Sequence, residues 1–228
     1  MQIKSVNLLL VWLWLISGWV SANDMEDNFA APTAESTETT VQAATTALTN
    51  IANDKIPSQL LKASKAILVA DVKKGGLGFA IGGGSGILLS RQNGQWSNPS
   101  LVTLSSLSWG LQAGVEAKKI ALVFTKGDVV EQIVNGQMKF GAGLDLAVGP
   151  LSKEVGTDTV FDKDVYSYAD GVGLFAGVSL EGSAVKVDEK GNTALYGEGV
   201  KAADILDGKI SALSTAVRTL MKWLQENT

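Results

Sequence analysis

With no Cys and no His among 228 residues, any catalysis in this chain would rest on carboxylates, lysines or tyrosines. Thiolate nucleophiles, Ser-His pairs, imidazole metal ligands and cysteine-bound zinc are excluded, as are disulfides and acylation of a cysteine. Two carboxylates, Glu116 and Glu181, stand in apolar, glycine-rich surroundings. As an acid–base pair they would need one cleft and separated pKa values. Spacing does not bring them together, and lone strand carboxylates are more often exposed or ion-paired. Four aspartates (Asp158, Asp162, Asp164, Asp170) crowd one stretch. A calcium loop starting at Asp162 would need a glycine at position 167 and a glutamate at position 173, where Ser167 and Gly173 stand. A solvated acidic loop is the better reading. The composition points away from an enzyme, and neither cofactor nor metal is expected.

Two further features invite a ligand. The run Gly75–Gly86 is dense in glycine, but it follows an expected helix and enters a strand. Phosphate-cradling loops follow a strand and open a helix, so a bent strand is expected here instead. The second feature is the stretch 55–74, which holds five Lys and one acid, Asp71. Pro57 suits the first turn of a helix. Leu60, Leu61, Ser64, Ile67 and Leu68 would share one face, with Lys55, Lys62 and Lys65 opposite and Lys73 and Lys74 just beyond the end. Such a segment is either an ordinary helix with wet lysines or a membrane-surface element whose lysines meet anionic head groups.

The elements that would position these groups follow from patterning. Lys4, the apolar run Val6–Ile16 and the small residues before Asn23 have the layout of a secretory signal over residues 1–22. Without it the chain carries 18 basic and 23 acidic residues, a net charge of −5, and residues 51–228 balance to zero. Nucleic acid, which demands a dense cationic field, is a poor partner. Residues 23–38 read as a flexible acidic, Thr-rich spacer. From Thr39 a helical stripe appears in Val41, Ala44, Leu48 and Ile51. Strands are expected over 75–90, 100–107, 110–115, 120–125, 137–148 and 173–187. Asp128 would cap a short helix closed by Asn135-Gly136. The segment 189–192 reads as a turn into a last strand near 194–196, followed by helices over 200–206 and 211–225. The last of these lines up Leu213, Val217, Leu220, Met221 and Leu224. The fold class is therefore α+β, a single domain over 39–228. Its curved, Gly-rich antiparallel sheet, barrel-like or sandwich-like, is flanked by N-terminal and C-terminal helices.

An ordered series of motifs runs through this domain: Ile56-Pro57 with Leu60-Leu61, Lys74-Gly75-Gly76, Gly84-Ser85-Gly86, and Gly94 to Ser100. After these come Trp109 to Glu116, Val148-Gly149-Pro150, Tyr166-Ser167-Tyr168, Gly173 to Ser183, Asn192 with Tyr196-Gly197, and Ile205-Leu206 with Gly208. The series resembles the SYLF-domain family over about residues 50–210. That resemblance implies a lipid-binding domain, found in exported bacterial and endocytic eukaryotic proteins, that reads phospholipid and phosphoinositide without catalysis. Fungal members also bind actin. The family's membrane contact is given to the N-terminal amphipathic helix, which here implicates Leu60, Leu61, Lys62, Lys65 and Leu68; the local charge adds Lys73 and Lys74. Bacterial relatives often carry a lipid-bearing cysteine, absent here, so affinity must come from the protein surface. The expected protein is a non-catalytic binder of anionic phospholipid membrane surfaces in the cell envelope. It would be periplasmic or secreted, or peripheral to the outer membrane. The alternative is an envelope structural or protein-interaction module.

Overall fold

The computed structural model describes residues 32–141, 144–150, 154–156, 158–170, 180, 182–211 and 214–228. Of residues 74–82 and 106–117 it describes the strand course and not the side chains. The expected signal, residues 173–179 and 181 of the strand expected over 173–187, and the Glu116 and Glu181 side chains lie outside the described residues.

Helix α1 (Ala34–Asp54) begins within the stretch read as spacer. The Thr33 hydroxyl accepts from the Ser36 amide, and the Ser36 hydroxyl accepts from the Thr33 amide, so two orphan donors are satisfied reciprocally. Thr39, Thr40, Thr45 and Thr46 turn their hydroxyls back onto carbonyls four residues earlier. The threonines are accommodated in this way in the helix, which the capping box and the buried stripe hold together. Its stripe Val41, Ala44, Leu48 and Ile51 is buried, as the spacing requires.

Helix α2 (Ser58–Ala63) is only six residues long. Ser64 leaves helical dihedrals and donates its hydroxyl to the Leu61 carbonyl at 2.6 Å. Strand β1 (Ala66–Gln92) follows, which corrects the helix expected to continue through Leu68. Ala66 to Ala70 are buried on both faces, and a short, unbroken apolar run is ambiguous between helix and central strand. Pairing decides it. Ile67 lies opposite Val123 and Leu68 opposite Leu122 on β3 (Ser100–Phe124). The three strands expected between 100 and 125 are this one strand, paired antiparallel with β1 from Ala66↔Phe124 to Leu88↔Ser100.

Asn93 and Gly94, with φ of 52° and 82°, form the two-residue turn from β1 into β2 (Gln95–Trp96). β5 (Val165–Ala169) pairs with Ile120–Phe124 and β6 (Ala184–Val187) with Val102–Ser105, both antiparallel. β4 (Leu146–Val148) joins β5 in parallel, so the sheet is mixed and not wholly antiparallel. Its path runs β2-β1-β3-β5-β4, with β6 beside β3, and stays open. Among the described residues of the strand expected over 137–148, only an isolated bridge at Lys139 and β4 are in strand pairing.

The sheet bends back on itself at glycines. A Cβ on Gly86 would run into the Val69 carbonyl and come within 2.7 Å of the Ala70 Cα. One on Gly84 would strike the Asp71 carbonyl. The Gly84-Ser85-Gly86 motif is therefore a packing requirement, with no helix to cradle a phosphate.

Helix α3 (Asp128–Val134) forms where expected and closes through Asn135 and Gly136, the latter at φ 66°, but its N-cap is Gly127: Asp128 is the first helical residue and makes no side-chain cap hydrogen bond. The expected turn and strand over 189–196 are instead helix α4 (Glu189–Tyr196), because the Asp188 carboxylate accepts from the Gly191 amide and caps it. α5 (Ala202–Leu206) and α6 (Thr215–Asn227) complete the chain. Strand alternation splits the core in two. Ile67, Val69, Ile87, Leu89 and Val123 pack with Leu48 of α1, Leu60 of α2 and Leu220 of α6. Leu68, Leu88, Leu122 and Phe124 face the other way, onto Val129 and Ile133 of α3 and onto Met138 and Phe140. A mostly antiparallel sheet flanked by helices, with no alternating βαβ units among the described residues, makes the fold α+β.

Candidate functional site

The seven residues expected at the membrane do not form one surface. Leu60 and Leu68 are fully buried and Leu61 nearly so; Leu60 and Leu61 belong to the core beneath α1, and Leu68 lies on the sheet's opposite face. As the apolar side of an interfacial helix they are already committed to the interior. Lys62, Lys65 and Lys73 are exposed, and among the described residues no hydrogen bond or ion pair engages their ammonium groups. Lys74 stands opposite Glu116 in the β1–β3 register, with its side chain outside the described residues.

Lys62 ends α2 and Lys65 immediately precedes β1, so these two are neighbours. Lys73 lies eight residues further along the strand, about 25 Å away at 3.3 Å per residue. That exceeds the roughly 8–10 Å over which exposed charges feel one another in physiological salt. The site reduces to the α2–β1 junction.

That junction has a third cation which sequence reasoning missed. Arg91, near the end of β1, donates from Nη1 to the Lys62 carbonyl at 2.9 Å and to the Leu61 carbonyl at 3.5 Å. Its Nε reaches the Gly94 carbonyl at 3.4 Å, and its guanidinium carbon lies 5.5 Å from the Trp96 ring centroid. A charged donor on the last carbonyls of a helix both satisfies them and complements the helix dipole, while the indole face attracts the cation. The backbone of Lys65 is held on both sides, its amide on the Phe124 carbonyl and its carbonyl under the Arg91 amide, each at 2.8 Å. Two exposed lysines thus stand on a hydrogen-bonded base. The signal in the sequence was the hairpin Arg91-Gln92-Asn93-Gly94-Gln95-Trp96, whose two-residue turn sets Arg91 opposite Trp96.

Where their side chains are described, the other motif residues serve as joinery; Lys74-Gly75-Gly76, Trp109 to Glu116 and most of Gly173 to Ser183 lie outside the described side chains. The Trp96 indole donates to the Thr228 hydroxyl at 2.7 Å. The Ser97 hydroxyl accepts from the Ser90 amide at 3.0 Å, and the Asn98 amide donates to the Ile210 carbonyl at 2.6 Å. Asn192, wholly buried, accepts from the Leu101 amide at 2.8 Å and donates to the Ser100 hydroxyl at 3.0 Å. The Tyr196 hydroxyl donates to the Pro99 carbonyl at 2.7 Å, and burial pushes its pKa well above the ordinary phenol range. Trp96 to Ser100 is clamped by α4 and the C-terminal segment. At the other edge a Cβ on Gly149 would overlap the Tyr168 ring, so Gly149 and the Tyr166-Ser167-Tyr168 strand fit by shape.

The acidic loop is also structural. Asp164 is largely buried and pairs with Lys126 at 2.5 Å, while Lys163 pairs with Asp145 at 2.9 Å. The Lys126 hydrogen bond, then a backbone hydrogen bond at Asp145, hold the Asp164 carboxyl below its ordinary range. Among the described residues no cluster of three carboxylates is placed to hold a metal ion, and no helix is long and apolar enough to cross a membrane.

Comparison with known proteins agrees with the motif series. Residues 105–227 match the family described as Ysc84, Las17-binding protein actin regulator. "SH3 domain-containing YSC84-like protein 1" of Bos taurus is 32% identical over 160 residues, 68% of this chain and 47% of the relative. The Homo sapiens protein of that name is 32% identical over 157 residues, 67% of this chain and 46% of the relative. "LAS seventeen-binding protein 3" of Saccharomyces cerevisiae is 30% identical over 165 residues, 70% of this chain and 36% of the relative. The chain thus spans about half the length, or less, of the relatives it matches. No solved structure matches. In motif order, matched span and identity, this chain belongs to the Ysc84, or SYLF-domain, family.

Proposed function

We propose that this domain is a non-catalytic, peripheral binder of anionic phospholipid surfaces, phosphoinositide-type head groups among them. The observation that carries the reading is the α2–β1 junction, where Lys62 and Lys65, whose ammonium groups have no partner among the described residues, stand on an arginine-capped, backbone-locked base. Because Leu60, Leu61 and Leu68 are core, contact is made by charge at the head-group level and not by insertion. At about 1 kcal/mol per basic residue near an anionic surface, two lysines and Arg91 contribute a few kcal/mol, enough for reversible attachment. The proposal includes export: residues 1–22 act as a cleaved signal, and the domain works in the periplasm, outside the cell or at the periphery of the outer membrane. Recovery of a mature chain starting at Asn23 from the exported fraction supports this part; an uncleaved chain in the inner membrane removes it.

A second reading is favoured by the relatives' printed names, which describe binding to a protein. A protein-interaction module would use the same fold without touching lipid. Sedimentation of the full chain with vesicles, with and without anionic lipid, separates the two. The lipid reading expects binding only when anionic lipid is present, lost as salt rises from 0.1 to 1 M and the Debye length shrinks from about 10 to about 3 Å. Absence of vesicle binding at every salt concentration, beside saturable capture of one protein partner, leaves the protein-interaction reading.

A further inference from the structure

Beside the α2–β1 junction lies a cleft of about 470 Å³, walled by the ends of β1, α3 and α5. Its volume suits a small organic ligand. Val130 and Val134 of α3 and Leu206 of α5 give it an apolar lining, continuous with the core under that face of the sheet. Lys65 and Arg91 bring positive charge from the β1 wall, and Glu131 and Asp207 bring negative charge from the two helical walls. Asp207 is already held by Lys209 at 2.9 Å and by the Gln92 amide at 3.2 Å. Glu131 and Lys65 have no hydrogen bond or ion pair through their charged groups among the described residues. The cleft therefore offers one free carboxylate and one free ammonium from different walls, with Arg91 beside the latter.

We propose that this cleft binds a zwitterionic phospho-amine, a phosphoethanolamine group, with its phosphate on Lys65 and Arg91 and its primary ammonium on Glu131. A bare anion would leave Glu131 as an uncompensated repulsion, and a bare cation would do the same to Lys65 and Arg91. A net-neutral ligand with separated charges answers both, and the space over Val130 and Val134 takes the first atoms of an apolar tail. The ammonium must carry N–H, because only N–H groups donate to a carboxylate; a trimethylated head group fits by charge and not by hydrogen bonding. The same chemistry is carried by a lipid head group and by the free solute. In the lipid form the inference rests on the membrane-surface reading, since Lys65 serves both.

The test uses vesicles of fixed phosphatidylglycerol content in which phosphatidylethanolamine replaces phosphatidylcholine, with the full chain and with Glu131→Gln. Glu131 is exposed and bonds only through its backbone, so the substitution leaves the fold intact. The expected result is about two- to fivefold tighter binding to the ethanolamine vesicles, the worth of the one hydrogen bond that the trimethylated ammonium cannot make. Glu131→Gln abolishes that preference, and because it removes a negative charge beside Lys65, binding to both vesicle types tightens to the same level. Equal binding of the full chain to both vesicle types overturns the lipid form of the proposal. If no anionic vesicle binds, the membrane-surface reading fails by itself and soluble O-phosphoethanolamine is titrated instead. Shifts of the Gly127, Val130 and Ala203 amide resonances that disappear in Glu131→Gln support the cleft as a site for the solute. Unmoved resonances overturn the cleft altogether.

Discussion

At the scale of single residues, the positions that looked most ready for a ligand are those the fold itself consumes. Asn192 bridges α4 to the start of β3 with no solvent contact. Asn192→Ala strands the buried Leu101 amide, and we expect a loss of about 2 kcal/mol in urea unfolding. Gly86 and Gly208 make a paired test. Gly86→Ala drives a methyl into the Val69 carbonyl, a backbone group that cannot swing aside, and should cost about 2–3 kcal/mol. Gly208, at φ 74° with open space around it, carries only the left-handed backbone penalty, so Gly208→Ala should cost about 1 kcal/mol. Equal costs would remove the close approach as the reason for the Gly84-Ser85-Gly86 motif. Asp164 sets a pH dependence. Its folded pKa is depressed, so its contribution is fully present above the ordinary aspartate pKa near 3.9 and is lost as pH falls through the folded value. Asp164→Asn should flatten the acid limb of a stability–pH curve and leave its neutral and alkaline course parallel to the parent's.

At the scale of elements, what was legible in the sequence was periodicity backed by punctuation. The stripe of α1, the Asp128 and Asn135-Gly136 boundaries of α3 and the Val217-Leu220-Leu224 face of α6 all form as spacing predicts. Failures came where pattern had two solutions. Ile67-Leu68-Val69 continues the spacing of α2, yet it is buried on both faces and pairs with β3. Asp188-Glu189-Lys190-Gly191-Asn192 has the composition of a turn, but its first carboxylate reaches the fourth residue's amide and starts a helix. Thr33 and Ser36 cap α1 without the glutamate or glutamine that usually advertises a capping box. The candidate site suffered from the same ambiguity. Its lysines were visible as charge, whereas the loss of its leucines to the core and the arrival of Arg91 depend on pairing across many residues. The helical layer can be tested by itself. Leu220→Ala in α6, wholly buried against α1 and the sheet, should cost about 2–5 kcal/mol in denaturant unfolding. A loss below 1 kcal/mol would mean that α6 is not an integral part of the core.

At the scale of the whole molecule, the proposed function follows from how little of the basic stretch converges. Five lysines in twenty residues suggest a continuous cationic face, but the break of α2 at Ser64 sends the chain straight into the sheet. Lys62 and Lys65 stay together with Arg91, and Lys73 is carried about 25 Å off along β1. Beyond one Debye length the two groups act separately, so a surface that engages one gains little from the other. The body is otherwise neutral in net charge, which leaves attachment to local contact and not to a long-range field.

The most direct measurement is vesicle co-sedimentation of the full chain beside two charge-reversed variants, Lys62→Glu with Lys65→Glu, and Lys73→Glu alone, on anionic vesicles at 0.1 M salt. All three positions are exposed, so folding is retained. The account predicts that reversal at 62 and 65 weakens binding by at least about tenfold, since each reversal replaces roughly 1 kcal/mol of attraction with repulsion, while Lys73→Glu changes it less than about threefold. Equal losses from both variants, or parent-like binding by the 62/65 pair, would contradict the assignment of the α2–β1 junction as the membrane-reading surface.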